Sequence, residues 1–298
     1  MPTELERLAN WYGYVPVLLE RSAFARRGRA ALQESFPGQH GWAENVPLFC
    51  PPTLPLLASG EVEVQEGLNR PHNRLLEALS AEAYERIAPH LEHVDLAHGL
   101  VLHRPGADIA EVYFPINCLL SITVTVSGGA TAEAGAVGRW EMIGVNAFMG
   151  GRETTQTEYI VQVAGEAVRS PAEPMRQEFE DHRHTRAVFL KYTQAFIAQL
   201  SQNVACNRLH AVEQRLARWL LDVRDRIGSD DLKLTHEFIS QMLGIRRASV
   251  TEAANRFEAK GLLQQLRGMV RIVDADQLSA RACECHRVLL DEYVRLLG

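Results

Sequence analysis

Residues 234 to 261, LTHEFISQMLGIRRASVTEAANRFEAKG, set two adjacent arginines, Arg246 and Arg247, just behind a glycine in a helical apolar pattern. An arginine fork can donate two parallel hydrogen bonds to a guanine edge, or charge-assisted bonds to a phosphate. Its position on a helix decides which chemistry it performs. Thr235 can cap a first helix whose apolar residues Phe238, Ile239, Met242 and Leu243 share one face. Gly244 stands where a short turn between two helices needs positive φ, and Ile245 points back inward. Val250, Ala253, Ala254 and Phe257 then face the first helix, leaving Arg247, Ala248, Ser249 and Glu252 outward near the start of the second. In a helix-turn-helix those positions reach base edges in the major groove. The competing reading is a helical hairpin whose arginines only solvate one end.

The following LLQQLRGMVRIVD reads as strand, turn at Arg267-Gly268, and strand, a wing that brings Arg267 and Arg271 near phosphates. Charge supports the DNA reading locally. The chain as a whole is at -6, but residues 71 to 175 carry 6 basic and 13 acidic side chains, whereas 206 to 271 carry 12 and 8. Within 246 to 271 six basic residues (Arg246, Arg247, Arg256, Lys260, Arg267, Arg271) meet two acidic ones, Glu252 and Glu258. A local basic patch is what counterion release from phosphate requires, whatever the net charge.

The elements that must position this patch can be followed along the 298 residues, enough for about two domains. Residues 1 to 70 are rich in proline and lack apolar periodicity, so a poorly ordered N-terminal extension is expected, ending in a linker near Gly60 to Pro71. Its cluster RSAFARRGR, 21 to 29, reads as solvated basic surface. A short helix over about 73 to 88 leads into β-structure. Leu120, Ile122, Val124 and Val126 alternate with Ser121, Thr123, Thr125 and Ser127, the period of a half-buried strand, with Gly128-Gly129 as its turn. Glu111 to Phe114 and Tyr159 to Ala164 are further strands, and their glycine and proline punctuation suggests a small barrel or jelly roll. From about 176 the pattern becomes a long helix. Leu190, Thr193, Ile197, Leu200 and Val204 fall at a/d spacing, which favours pairing with a second copy over packing on the chain's own barrel. A second helix over about 207 to 227 ends at Gly228. No apolar run reaches the roughly 20 residues of a membrane span and the start lacks a secretory pattern, so a cytoplasmic protein without membrane contact is expected.

From about Leu75 to the wing the sequence resembles the Crp/Fnr transcription regulators. Their turn pattern of Gly, apolar, Ser, Arg, variable, Thr or Ser, Val appears here as Gly244, Ile245, Arg246, Arg247, Ala248, Ser249, Val250. The resemblance implies an α+β fold: an antiparallel β-roll sensor over 71-180, a dimerisation helix over 181-206 and a winged helix-turn-helix over 207-298. It implies a homodimer that binds double-stranded DNA, with RNA polymerase as a further partner. A signal in the β-roll would act through a hinge near Cys206 to His210. Arg247 becomes the base-reading arginine, and Thr235 and Ser249 phosphate contacts, with Arg267 on the wing. Arg246 replaces the usual serine cap, Ala248 stands where many members carry a base-reading glutamate, and Glu252 occupies another readout position, so a different operator is expected.

The resemblance also implies an effector pocket. Members that bind cyclic AMP use a glutamate on the ribose and an Arg-Ser pair on the phosphate. Here Val145 takes the place of the glutamate, and Thr155, Gln156 and Thr157 that of the pair. Arg152 is the one nearby cation, and a buried phosphodiester without a cation is costly. The effector is therefore expected not to be cyclic AMP, the alternative being a cyclic nucleotide held by Arg152. With only Cys50 and Cys118 before the helical half, an N-terminal iron–sulfur cluster is not expected.

Five scattered cysteines argue for reduced thiols. Cys206, His210, Cys283, Cys285 and His286 contain zinc-ligand types, but a helix from Asp276 onward would separate Cys283 from Cys285, so buried thiols are the expectation and no metal or cofactor is assigned. His90, His93, His98 and His103 read as surface and turn residues. The competing class is a cupin-like metal-dependent enzyme, which needs clustered histidines and a carboxylate on facing strands. No such pattern appears in 95 to 170, and no catalytic residue is assigned. A nucleotide-gated module without DNA binding is disfavoured by the basic wing.

Overall fold

The computed structural model describes residues 70–129, 131–149 and 155–298. The extension up to residue 69, with its 21–29 cluster and Cys50, and Arg152 lie outside the described residues.

Two short helices, α1 (Arg74–Glu77) and α2 (Ala81–Ile87), replace the single one expected over 73 to 88. Each has its own cap: Asn73 Oδ1 accepts from the Leu75 and Leu76 amides, and Ser80 Oγ from Ala83. Asn73 is buried, and its amide nitrogen donates to the carbonyls of Pro115 and Glu141, both at 2.9 Å. One side chain thus starts a helix and joins it to two loops of the β-structure.

The strands β1 (Glu92–Leu96), β2 (Val101–His103), β3 (Glu111–Pro115), β4 (Leu119–Thr125), β5 (Thr131–Val137), β6 (Glu158–Val163) and β7 (Gly165–Pro171) form two antiparallel sheets, ordered β1-β7-β3 and β2-β6-β4-β5. Tyr113, Leu120, Val137, Ile143, Tyr159 and Val161 fill the β-roll interior. The alternation expected in β4 holds only in part. Ser121 and Thr123 are buried, while Val124 is 39% and Val126 58% exposed. The pairing with β5 shifts register between Ile122 and Thr123, and Ser121 meets Glu133 and Met242 rather than water.

At His182, in extended conformation, the expected long helix divides into α3 (Ala172–Asp181) and α4 (Arg183–Leu209). The α4 helix buries Phe189, Tyr192, Ala195, Gln199 and Cys206. Its other side presents Leu190, Ile197 and Val204, 47%, 58% and 72% exposed and one heptad apart. After an extended step at His210 and Ala211, α5 (Val212–Ile227) ends at Gly228 with φ 71°, as the sequence indicates.

The helices α6 (His236–Leu243) and α7 (Arg247–Ala259) follow, joined through Gly244 at φ 61°. A three-stranded sheet, β8 (Asp231–Leu232), β10 (Met269–Ile272), β9 (Leu263–Leu266), completes the winged helix; sequence reading missed its two-residue β8. The continuous helix expected from Asp276 does not form. The short α8 (Ala275–Ser279) stops, and a separate helix α9 (Cys285–Leu297) follows. Tyr293 and Leu296 of α9 join the core formed by α1, α2 and α4, and the Tyr293 ring meets Trp140 edge-on at 6.0 Å.

Candidate DNA interface and sensor cavity

The two reader helices pack through Ile239, Leu243, Val250, Ala253 and Phe257, all buried, which is the face their apolar spacing requires. Thr235 Oγ1 accepts from the Phe238 amide at 3.1 Å, so this exposed hydroxyl caps α6 while remaining free to donate outward. Across the turn, His236 Nδ1 lies 3.1 Å from Thr251 Oγ1. Burial, then the charge of Arg247, keeps the His236 ring below its ordinary pKa.

Arg246 is the α7 N-cap in extended conformation, and its side chain makes no capping bond. It leaves the first amides of α7 directed outward, an electropositive end for phosphate. Arg246, Arg247, Ala248 and Glu252 are exposed and Ser249 is half-buried, while Arg267 is exposed beside Gly268, φ 73°, at the tip of the wing. The six basic residues of 246 to 271 divide by partner. Arg256 pairs with Glu213 at 3.1 Å, with Lys260 at 4.0 Å from the same carboxylate. Arg271 grips Asp231 with both arms and ties β10 to β8, holding that carboxyl below its usual range. Among the described residues Arg246, Arg247 and Arg267 form no ion pair. They are the cations left for an external anion.

Between the β-roll and α4 lies a cavity of about 280 Å³. Val145, Thr155 and Thr157 line it, as does a set that sequence reading missed: Asn146, Tyr159, Tyr192, Thr193 and Phe196. Gln156 is exposed and outside this lining. The α4 residues recur at helical spacing, but nothing local marks that face as a wall rather than core. Tyr159 donates to Asn146 Oδ1 at 3.1 Å, and the Thr155 and Thr157 hydroxyls lie 2.7 Å apart. Among the described residues no lining side chain is charged.

The reader is joined to the β-roll through α5. Arg226 Nη2 lies 2.9 Å from Glu141 Oε1, the Arg139 amide donates to the Arg226 carbonyl at 3.0 Å, and Trp219 Nε1 donates to Glu133 at 3.4 Å. The histidines of the β-roll do not converge. His98 Nδ1 faces the Gln162 carbonyl at 2.8 Å, His103 is buried against Tyr159 with its pKa lowered by burial, and His90 and His93 are exposed. Cys118 is buried in the β-roll core, and burial pushes its thiol up to about 12. Cys206, His210, Cys283 and Cys285, by contrast, come together, with all their ligand atoms within 4.8 Å of one another. The break between α8 and α9 brings Cys283 and Cys285 to one side, against the expectation from a continuous helix. His286 is elsewhere, 2.9 Å from Asp225.

Residues 214–281 match the Crp-like helix-turn-helix domain. Over 216 residues, 70% of this chain and 96% of the relative, the sequence is 23% identical to the CRP-like cAMP-activated global transcriptional regulator of Mycobacterium tuberculosis. In structure it resembles a Crp/Fnr-family transcriptional regulator from Eubacterium rectale, with TM-score 0.54 and 18% identity over 73% of this chain and 100% of that one. It also resembles the c-di-GMP responsive global regulator CLP of Xanthomonas campestris, with TM-score 0.53 and 16% identity over 65% and 100%. The fold and the domain match define a class, transcriptional regulators of Crp/Fnr type. This chain resembles them in fold and sequence, and its residues 214–281 match their helix-turn-helix DNA-binding domain. No helix among the described residues is long and apolar enough to cross a membrane.

Proposed function

We propose that the chain acts as a homodimer that reads double-stranded DNA in sequence-specific fashion, under control of a small molecule bound in the β-roll. The observation that carries this reading is Arg247, exposed and without an ion pair among the described residues, on the first turn of α7. It reads a base, while Arg246, Thr235, Ser249 and Arg267 meet phosphates and Ala248 and Glu252 shape the operator preference. The exposed heptad stripe Leu190, Ile197 and Val204 supports pairing of two copies along α4. Two readers then address half-sites about 34 Å apart. Residues 71-180 serve as sensor, 181-206 as dimer helix and 207-298 as reader, the last segment returning to the sensor through α9. RNA polymerase is the further partner, in a cytoplasmic setting.

Among the described residues the cavity lining is uncharged, which supports a neutral ligand with an apolar body and one or two polar groups over a phosphodiester. The Mycobacterium tuberculosis relative is described as cAMP-activated. A cyclic nucleotide in this chain would rely on Arg152. Fluorescence anisotropy with a selected operator, at two salt concentrations and with or without cyclic AMP, tests both parts. Salt-sensitive, sequence-dependent binding unchanged by cyclic AMP is expected. Absence of sequence-dependent binding contradicts the reader, and a cyclic AMP response contradicts the neutral effector.

A further inference from the structure

The geometry points to a mononuclear thiolate metal site, with Zn²⁺ as its ion, formed by Cys206, His210, Cys283 and Cys285 and fastening the C-terminal segment to the hinge. Cys206 lies in the last turn of α4 and His210 just beyond it; Cys283 precedes α9 and Cys285 opens it. The Cys206 and Cys283 sulfurs are 3.6 Å apart, and Cys285 Sγ is 3.4 Å from His210 Nδ1. In a tetrahedron with Zn–S of about 2.3 Å and Zn–N of about 2.0–2.1 Å, the edges are about 3.8 Å between sulfurs and about 3.5 Å between sulfur and nitrogen. These two separations match the edges around one shared central ion, and all four ligand atoms lie within 4.8 Å of one another. A disulfide would need the sulfurs at about 2.05 Å. An iron–sulfur cubane places each cysteine on a different iron, spreading the sulfurs well beyond this spacing.

The surroundings complete the donor set. His210 Nε2 lies 3.2 Å from Glu284 Oε1, so the Nε2–H donates to the carboxylate and the Nδ1 lone pair is left facing the sulfurs. Gln202 Nε2 donates to Cys285 Sγ at 3.0 Å, a bond that favours the thiolate. The three cysteines are buried, as are Arg215 and Arg218, both of which interact electrostatically with Cys206. Three thiolates, a neutral imidazole and Zn²⁺ leave one net negative charge, which Arg215 can offset, Arg218 being paired with Asp222 at 2.9 Å. Binding displaces one proton from each thiol, while the imidazole contributes a lone pair. The ion would link residues 77 positions apart, Cys206 and Cys283, across the step where α4 gives way to α5.

The test uses the full chain purified without chelator in reducing buffer. About one zinc per chain is expected by elemental analysis. Replacement by Co²⁺ should give the intense visible bands of a tetrahedral site and a near-ultraviolet thiolate-to-cobalt transition. Cys206→Ser and Cys285→Ser should lose the metal. His210→Cys should keep it and move the cobalt bands to longer wavelength, a readout that distinguishes lost ligation from failed folding. A folded wild-type chain that takes up neither zinc nor cobalt overturns the proposal. So does metal content unchanged in both serine variants, bound iron with inorganic sulfide, or a Cys206–Cys283 disulfide found by mass under native conditions.

Discussion

Arg226, on the last turn of the helix that leads to the reader, faces Glu141 of the β-roll across 2.9 Å, in surroundings that leave the carboxylate 0% and the arginine 7% exposed. Glu141 also accepts from the Gly138 amide at 2.6 Å, and Arg226 Nη1 donates to the Asp222 carbonyl at 3.2 Å. The pair has enough partners to repay its desolvation, but neither member can be left alone. Arg226→Ala should therefore cost about 3–5 kcal/mol in urea unfolding. The double replacement Arg226→Met with Glu141→Leu should cost markedly less. Equal losses in the two would show that the ion pair does not hold this contact.

Backbone approach at the same place makes a second test. A Cβ added to Gly138 would stand 2.3 Å from Cβ of Arg226, with no flexible side-chain end to give way. Gly138→Ala should push α5 from the β-roll and cost about 1–3 kcal/mol, as overpacking does, or roughly 2–12 °C in melting temperature. A melting temperature equal to wild type would place that helix farther from the β-roll than described.

Pairing along α4 predicts that aspartates at Ile197 and Val204, both exposed in the single chain, leave the fold intact and abolish self-association. Sedimentation velocity should give a dimer for wild type and a monomer for the double variant. Operator affinity should fall by at least about tenfold, since each half-site then binds without its tethered neighbour. A variant that stays dimeric sends the contact to another face.

Acid stability follows from Glu178. Burial alone would raise its carboxyl, but the two-armed contact from Arg86, at 2.7 and 2.9 Å, and the Thr185 hydroxyl at 2.6 Å outweigh it and hold the group below its usual range. A carboxyl depressed in the folded state contributes stability above its unfolded pKa of about 4.3 and loses it as pH falls through the folded value. Urea midpoints should thus drop below about pH 4, and Arg86→Gln should flatten the drop. A slope unchanged in that variant would assign the acid lability elsewhere.

What could be read from the chain alone was local. Gly244 and Gly228 terminate helices by their own backbone freedom, and the spacing of Ile239, Leu243, Val250 and Phe257 defines the reader without outside help. Ser121 and Thr123 misled because their burial comes from distant partners, Met242 among them. The α4 wall of the cavity was hidden for a related reason. Tyr192 and Phe196 look like any core stripe until the β-roll closes over them. The cysteine and histidine cluster depended on a helix break over Ala280 to Glu284 that no glycine or proline announces.

Base reading by Arg247, as proposed, can be tested on two DNAs. Operator and unrelated DNA should be titrated against wild type and Arg247→Ala by fluorescence anisotropy, with circular dichroism confirming the fold. A loss of about 1–3 kcal/mol, roughly 5- to 150-fold, is expected on the operator alone, with binding to unrelated DNA nearly unchanged. Equal weakening on both DNAs, or full operator affinity in the variant, would contradict it.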